Sequence, residues 1–161
     1  MNSIEPIAFV DGPAMLLAGI RQRHAAANAA SSIEAQWHRF GAIPALPGRV
    51  GSKSYGVICG GDEAAIEFMC AHEVASFATV PAGVGRIKTP AQHYAVFLHP
   101  GKGAALADCW QAIWQGWLPQ SAFKPVPGPE FEVRDEQGGA VGGAGVVQLW
   151  SPVAPRDVSS G

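Results

Sequence analysis

Residues 90–132, PAQHYAVFLHPGKGAALADCWQAIWQGWLPQSAFKPVPGPEFE, decide the fold because they contain a strand, a glycine loop, an amphipathic helix and the start of another strand. In the helix, apolar side chains recur with the three- and four-residue spacing of one helical face, at Leu106, Cys109, Trp110, Ile113, Trp114 and Trp117. This face holds three of the five tryptophans in the chain. So much flat apolar area predicts either a large part of the core or the wall of a pocket.

The composition predicts one compact domain and excludes several classes of partner. The chain has 161 residues, 48% of them hydrophobic, which is enough for a single core. Only 15% of residues are charged and the formal net charge is -2, so no basic field is present to bind nucleic acid. No apolar run approaches the roughly 18 residues of a membrane span, and the amino terminus lacks the regions of a signal peptide. We therefore expect a cytoplasmic protein.

The sequence gives no signature of a metal or cofactor site. The three cysteines are widely spaced and are expected to be reduced and buried. Neither CxxC nor HExxH occurs, so no metal site is predicted. The segment PGKG at 100–103 lacks the spacing of a nucleotide-binding loop, and no GxSxG motif is present. We expect neither metal nor cofactor.

The order of predicted elements is the same in the two halves of the chain. The first half has an apolar strand at 15–20, a helix at 31–40 that begins at a capping box of Ser31 and Glu34, and the strands SYGVICG and AAIEFMCAHEV. The second half has HYAVFLH, the tryptophan helix, EFEVRDE and VVQLWSPV. We therefore predict an α+β fold of two β-α-β-β repeats, 14–77 and 84–153, related by a pseudo-twofold axis.

In this fold an antiparallel sheet carries two main helices, and a central groove lies where the repeats meet. The domain is expected to span residues 1–154, followed by a disordered tail at 155–161. Both helices carry tryptophan towards the sheet, which permits a pocket with aromatic walls.

Four segments, taken in this order, resemble the GyrI-like small-molecule-binding domain, also called the bacterial transcription-activator effector-binding domain. They are VPAG at 80–83, TPAQHYAVFLHPG at 89–101, the span from Trp114 to the WLP stop, and PEFE at 129–132. The resemblance covers about residue 15 to Val153. It implies the two-repeat fold with its groove, and a function in binding aromatic or amphipathic compounds that are often cationic.

The resemblance leaves three functions open. The first is a stand-alone binding protein, because the domain is expected to begin too close to Met1 for a preceding DNA-binding segment. A second copy of the chain, in a homodimer, or a separate regulator would be its further partner. The second is a cofactor-independent hydrolase of cyclopropane-containing or similar electrophilic compounds. The third and weakest is a protein-interaction module such as a gyrase inhibitor. Tyr55 or Tyr94 would assist Glu132 in the hydrolase.

Glu132 lies where the family's PxFE motif places its pocket acid. A carboxylate that faces aromatic rings can neutralise a cationic ligand, and burial would raise its pKa and suit it to acid–base chemistry or to positioning water. Arg134, two residues further on, departs from the family pattern, which often has an aromatic residue there. Strand alternation places Arg134 beside Glu132, where an ion pair would weaken the preference for cations and admit neutral or anionic aromatic ligands.

The remaining site candidates are mainly aromatic, and core packing is the alternative role for each of them. The residues predicted to line the groove are Trp37, Phe40, Tyr55, Phe68, Glu73, Tyr94, Phe97, Trp110, Trp114, Glu132, Arg134 and Trp150. Glu73 is the second acid candidate of this set.

Overall fold

A computed structural model describes residues 4–99, 106–135 and 147–156 of the chain. Its strands are β1 (Ala8–Gly12), β2 (Met15–Ala25), β3 (Arg49–Gly61), β4 (Ala65–Val74), β5 (Gly85–Thr89), β6 (Gln92–Leu98), β7 (Phe123–Pro125), β8 (Glu130–Asp135) and β9 (Val147–Pro155). Helix α1 spans Ala29–Ala42 and follows a 3-10 turn at Ala26–Asn28. Helix α2 consists of Leu106–Gln111, a π-helical segment Ala112–Trp117, and Leu118–Gln120.

The strands form an antiparallel sheet in the order β1-β6-β9-β8-β3-β4-β2-β5, with β7 paired to β9. The predicted α+β fold, an antiparallel sheet with two main helices, is confirmed. In chain order, β2-α1-β3-β4 is followed by β6-α2-β8-β9 with β7 inserted between α2 and β8, and the two units join through the pairing of β3 with β8. In each unit the strands run, from the outer edge to the β3–β8 junction, in the order first, third, second: β2-β4-β3 in one unit and β6-β9-β8 in the other. The pseudo-twofold rotation that would relate the two units stays a prediction. The predicted tail at 155–161 and the PGKG segment at 100–103 fall wholly or largely outside the described residues.

The sheet curls, and each of its faces packs differently. One cluster of buried side chains is joined both by Val10 of β1 and by Ile87 of β5, which lie on opposite edges of the sheet. We call this concave side the inner face. The other side, the helix face, is covered by α1 through Phe40 and by α2 through Trp110 and Ile113. Burial on both faces explains why the central parts of these strands, residues 55–59 of β3, 68–71 of β4 and 94–97 of β6, are continuous apolar runs rather than alternating.

Both helices differ in detail from the sequence prediction. Helix α1 begins at Ala29, before the predicted capping box, and its N-cap Asn28 makes no side-chain cap. Ser31 instead donates its hydroxyl hydrogen to the Asn28 carbonyl at 3.1 Å. The capping-box assignment was therefore wrong, because the alanine-rich segment before Ser31 already has high helix propensity.

In α2 the π-helical segment adds one residue to a turn. The buried position after Ile113 is consequently Leu118, five residues on, rather than Trp117. Trp117 is half-buried and makes an edge contact with Phe97, with the ring centroids 5.1 Å apart. The regular helical period therefore assigned Trp117 too central a place in the buried face.

Within the described residues, no helix has the length and the hydropathy needed to cross a membrane.

Candidate functional site

The candidate site lies on the helix face, along a row of residues that crosses the middle of the sheet. Antiparallel pairing sets Cys70 opposite Gly56, Gly56 opposite Glu132, and Glu132 opposite Leu149. Directly opposed residues share a face. Cys70 belongs to the cluster under α1, and Leu149 to the cluster under α2. Glu132 therefore lies between the two helices, at the junction of the two β-α-β-β units.

Glu132 is almost completely covered, with 4% of its surface exposed. On the α1 side, Glu132 and Trp37 both reach Gly56: a β-carbon built there would lie 3.0 Å from Glu132 Oε1 and 3.1 Å from Trp37 Cζ2. On the α2 side, the indole N–H of Trp110 is near enough to Glu132 to lower the pKa of the carboxyl, although its geometry falls short of a regular hydrogen bond. The absence of a side chain at Gly56 creates the space in which these groups meet.

Burial raises the pKa of Glu132 above that of an ordinary glutamate. Arg134, Trp110 and His99 oppose this rise, in that order of strength, because each favours the ionised carboxylate. The hydrogen bond from Arg134 Nη2 to Glu132 Oε1 is 3.2 Å long. Removal from water is the largest of these effects, so the protonated form of Glu132 is favoured relative to an exposed glutamate.

Arg134 connects Glu132 to the aromatic ring of α1. Its guanidinium carbon lies 4.6 Å from the centre of the Trp37 ring, within cation–π distance. The indole N–H of Trp37 and Arg134 Nε are both buried without a hydrogen-bond partner in the described part of the chain. Unpaired buried donors are uncommon in proteins, and these two belong to residues that surround a single carboxylate.

A second carboxylate, Glu130, lies two residues before Glu132 on the same strand face. It accepts hydrogen bonds from the indole of Trp114 and, at 3.0 Å, from the Ser151 hydroxyl. Burial raises its pKa, and these two hydrogen bonds oppose the rise. Trp114 in turn stacks on Trp110, with the ring centroids 5.5 Å apart. The stacked indoles thus associate with both carboxylates, Trp110 with Glu132 and Trp114 with Glu130.

Several of the predicted site residues do come together on the helix face. The row of residues that contains Glu132 is surrounded by Trp37, Trp110, Trp114 and Arg134. Phe40 and Phe68 each make an edge contact with Trp37, at centroid distances of 6.0 and 6.2 Å. Phe97 is fully buried in the cluster beneath α2, where it packs as a core residue.

The structure does not bring the other candidates near Glu132. Tyr55 precedes Gly56 and pairs with Val133, so strand alternation directs it to the inner face. Tyr94 and Trp150 pack against Phe131 on the same inner face. Glu73 pairs with Leu17 of the inner cluster and acts on Tyr55, whose pKa is raised to about 12, chiefly by burial. The proposed assistance of Tyr55 or Tyr94 to Glu132 therefore has no geometric support.

The sequence reasoning missed Glu130, Ser151 and Gly56. Period-2 alternation from Glu132 was the available signal for Glu130, because a residue two positions away shares its face. Gly56 and Ser151 gave no signal of their own, since their places depend on which strands pair and in which register.

A separate cavity of about 450 Å³ opens where β3 ends, and its lining residues include Arg21, Cys59, Lys88 and Glu130. Glu132 and the tryptophans do not line it. In the described part of the chain, no group of three or more His, Cys, Asp or Glu side chains is arranged to hold a metal ion.

Comparison with known proteins shows what the chain is similar to. The family model described as Cass2, integron-associated effector binding protein, matches residues 9–153. Among curated proteins, the transcriptional regulator BrlR of Pseudomonas aeruginosa is 33% identical over 84 residues, which are 52% of this chain. The chain spans 31% of the length of that regulator.

Two solved structures share the fold. One, described as SAV2435 bound to tetraphenylphosphonium, has a TM-score of 0.66 at 18% identity and covers 91% of this chain and 93% of its own. The other, the Vibrio cholerae integron cassette protein VCH_CASS2, has a TM-score of 0.63 at 16% identity and covers 94% and 97% respectively.

Proposed function

The chain belongs to the integron-associated effector-binding protein family of GyrI-like domains, and on this premise we propose that it binds an aromatic or amphipathic small molecule between α1 and α2. The observation that carries the proposal is the position of Glu132. This carboxylate is 4% exposed and lies between Trp37 and the stacked pair of Trp110 and Trp114. A buried carboxylate beside ring faces offers both polar and apolar contacts to one ligand.

The energetics support a binding role for this arrangement. An ionised carboxylate removed from water costs several kcal/mol unless it is well paired, and the hydrogen bond from Arg134 to Glu132 is 3.2 Å long and comes from a side chain that is itself 33% exposed. Nearby indole donors are buried and unpaired within the described residues. A bound polar group could satisfy such donors, which would convert an unfavourable arrangement in the free protein into affinity for a ligand.

The aromatic residues supply the apolar part of the site. Trp114 is 36% exposed and stacks on the buried Trp110, so part of its ring is open to solvent. A ligand ring placed against it would gain about 0.5–1.5 kcal/mol beyond the burial of its area. The π-helical segment that carries Trp114 adds a further argument, because such segments occur frequently at functional sites.

The test is direct binding measured by calorimetry and tryptophan fluorescence with three aromatic probes of different charge: tetraphenylphosphonium, triphenylphosphine oxide and tetraphenylborate. We expect at least one probe to bind, and we expect Trp110→Phe or Trp37→Phe to weaken that probe. Trp150→Phe is the matched control, because it makes the same change on the inner face. Loss of binding in Trp150→Phe alone would move the ligand to the inner face. No binding of any probe would remove the proposal.

The hydrolase hypothesis receives less support from the geometry. Its assisting tyrosines lie on the inner face, and burial raises the pKa of Cys70, the thiol opposite Gly56, to about 12. The carboxylate candidates that remain at the site are Glu130 and Glu132. Incubation with a cyclopropane-containing substrate followed by mass spectrometry tests the idea: a water-addition product that disappears in Glu132→Gln, with binding retained, would establish the hydrolase.

A further inference from the structure

Arg134 makes the two contacts that the proposed groove would offer to a cationic ligand. Its guanidinium lies over the Trp37 ring, 4.6 Å from the ring centre, and Nη2 donates a hydrogen bond of 3.2 Å to Glu132. Aromatic faces and a carboxylate are the usual partners of an organic cation in a protein site. In this chain both partners are already engaged by an arginine of the same strand.

The backbone fixes this arrangement. Residues 132 and 134 of one strand point to the same face, and the register of β8 with β3 sets them opposite Gly56 and Ser54. Glu132 is shielded, with 5% of its side chain exposed, whereas 33% of the Arg134 side chain is exposed. The carboxylate is therefore shielded from solvent, whereas the arginine bonded to it is partly open to solvent.

The pair does not attract a cation in either protonation state of Glu132. With Glu132 ionised the pair is neutral, and with Glu132 protonated it carries one positive charge, because an arginine stays protonated. The second carboxylate of the site, Glu130, is already engaged by the Trp114 indole and the Ser151 hydroxyl. A lipophilic cation would have to displace Arg134 before it could reach the carboxylate or the Trp37 face, and displacement would leave a second cation close by.

From this geometry we propose that Arg134 occupies the place of a cationic ligand in the groove. The groove then binds lipophilic cations weakly and prefers aromatic ligands that carry a negative group. This inference rests on the function proposed above and specifies the ligand class of the same site. A guanidinium has several N–H donors, and here Nη2 is used by Glu132 while Nε is buried without a partner among the described residues. A carboxylate, sulfonate or similar group next to the exposed part of Arg134 would meet a positive charge.

A second arginine adds to the positive potential at this end of the site. Burial raises the pKa of the Cys70 thiol, which lies opposite Gly56, and the charges of Arg134 and Arg39 oppose this rise while that of Glu132 adds to it. Arg39 is on α1, two residues beyond Trp37.

The test compares tetraphenylborate with tetraphenylphosphonium, which have the same shape and opposite charge, on the full chain by calorimetry. We expect the wild type to bind the borate more tightly by about tenfold or more. Arg134→Met should remove or reverse this preference, because it unmasks Glu132 for the cation. Arg134→Lys keeps the charge and should retain a preference for the borate.

Lys88→Met is the matched control, since it removes one positive charge from the separate cavity near β3. It should leave the ratio of the two affinities unchanged. Circular dichroism melting verifies that each variant is folded. Glu132→Gln tests the inference without altering Arg134, and we expect it to raise the preference for the borate further. A ratio that is the same in wild type and Arg134→Met, or a wild type that prefers the phosphonium, would overturn the inference while leaving the groove proposal intact. If none of the three charge-graded probes binds, the proposed function itself fails.

Discussion

Gly56→Ala is the substitution whose effect can be worked out most directly from the structure. A β-carbon at this position would lie 2.5 Å from Phe68 Cζ, 3.0 Å from Glu132 Oε1 and 3.1 Å from Trp37 Cζ2. The distance to Phe68 is shorter than carbon atoms tolerate, so this ring must move. The new methyl group therefore disturbs both the packing under α1 and the position of the Glu132 carboxylate.

Two terms of opposite sign set the magnitude. Overpacking a core position costs about 1–3 kcal/mol, whereas replacing glycine by alanine gains about 0.5–1 kcal/mol through the unfolded chain. We expect a net loss of about 1–2 kcal/mol, which lowers Tm by about 2–8 °C in a domain of this size. Displacement of Glu132 and Trp37 should also weaken ligand binding.

The assay is thermal and urea denaturation followed by circular dichroism, with Gly41→Ala as the control. Gly41 lies in α1 with nothing within 4 Å of its added β-carbon, and the same change there should raise stability by up to about 1 kcal/mol. The same chemical change should thus have opposite signs at the two positions. Equal stability and unaltered ligand binding in Gly56→Ala would refute the close approach of Trp37, Phe68 and Glu132 at this glycine.

Three further predictions concern buried polar groups. Because burial raises the pKa of Glu132 in the folded protein, its ionised form costs stability above that pKa, and the cost is relieved as pH falls towards the unfolded value of about 4.3. The Tm of wild type relative to Glu132→Gln should therefore rise as pH is lowered through the raised pKa towards about 4.3, and a constant difference would contradict the shift. Gln36→Met should lower the free energy of unfolding, measured by urea denaturation, by about 3 kcal/mol or more. The reason is that Gln36 donates to the carbonyls of Ile20 and Phe68 at 2.8 and 3.0 Å and is hydrogen-bonded to His24 at 2.6 Å. Stability close to wild type would show that this network contributes little. Tyr94→Phe should leave the free energy of unfolding unchanged or raise it by up to about 1 kcal/mol, since the Tyr94 hydroxyl is buried without a partner in the described residues. Loss of activity or of ligand binding in this variant would instead favour a role for the inner face.

Much of the architecture was predictable because it depends on local patterns. Helical periodicity identified the buried positions Trp110 and Ile113, and short apolar runs between glycines identified the strands. Alternation along β8 placed Arg134 next to Glu132, and the structure has this ion pair at 3.2 Å. The prediction succeeded here because both residues lie on one strand, so no long-range pairing was needed.

The candidate site was less predictable because it depends on register. Strand β3 contributes Tyr55 and Gly56 to opposite faces, and a strand that is apolar on both sides gives no pattern that distinguishes the faces. The pairing of Gly56 with Glu132 decides that Tyr55 faces away from the carboxylate. Likewise the π-helical turn in α2 moves the last buried position from Trp117 to Leu118, which the regular helical period does not show.

The Glu132–Arg134 pair is difficult to explain by stability alone. Replacing a buried ion pair with apolar residues of similar size is often neutral or stabilising by about 1–4 kcal/mol. The residues at the two ends of the row that contains Glu132, Cys70 and Leu149, are already packed in apolar clusters. A hydrophobic side chain at position 132 would join those clusters into one continuous core beneath the two helices. The chain instead places a carboxylate and a guanidinium at that junction, between the tryptophans of α1 and α2. The proposed ligand recognition would account for this arrangement, with the exposed part of Arg134 favouring a ligand that carries a negative group.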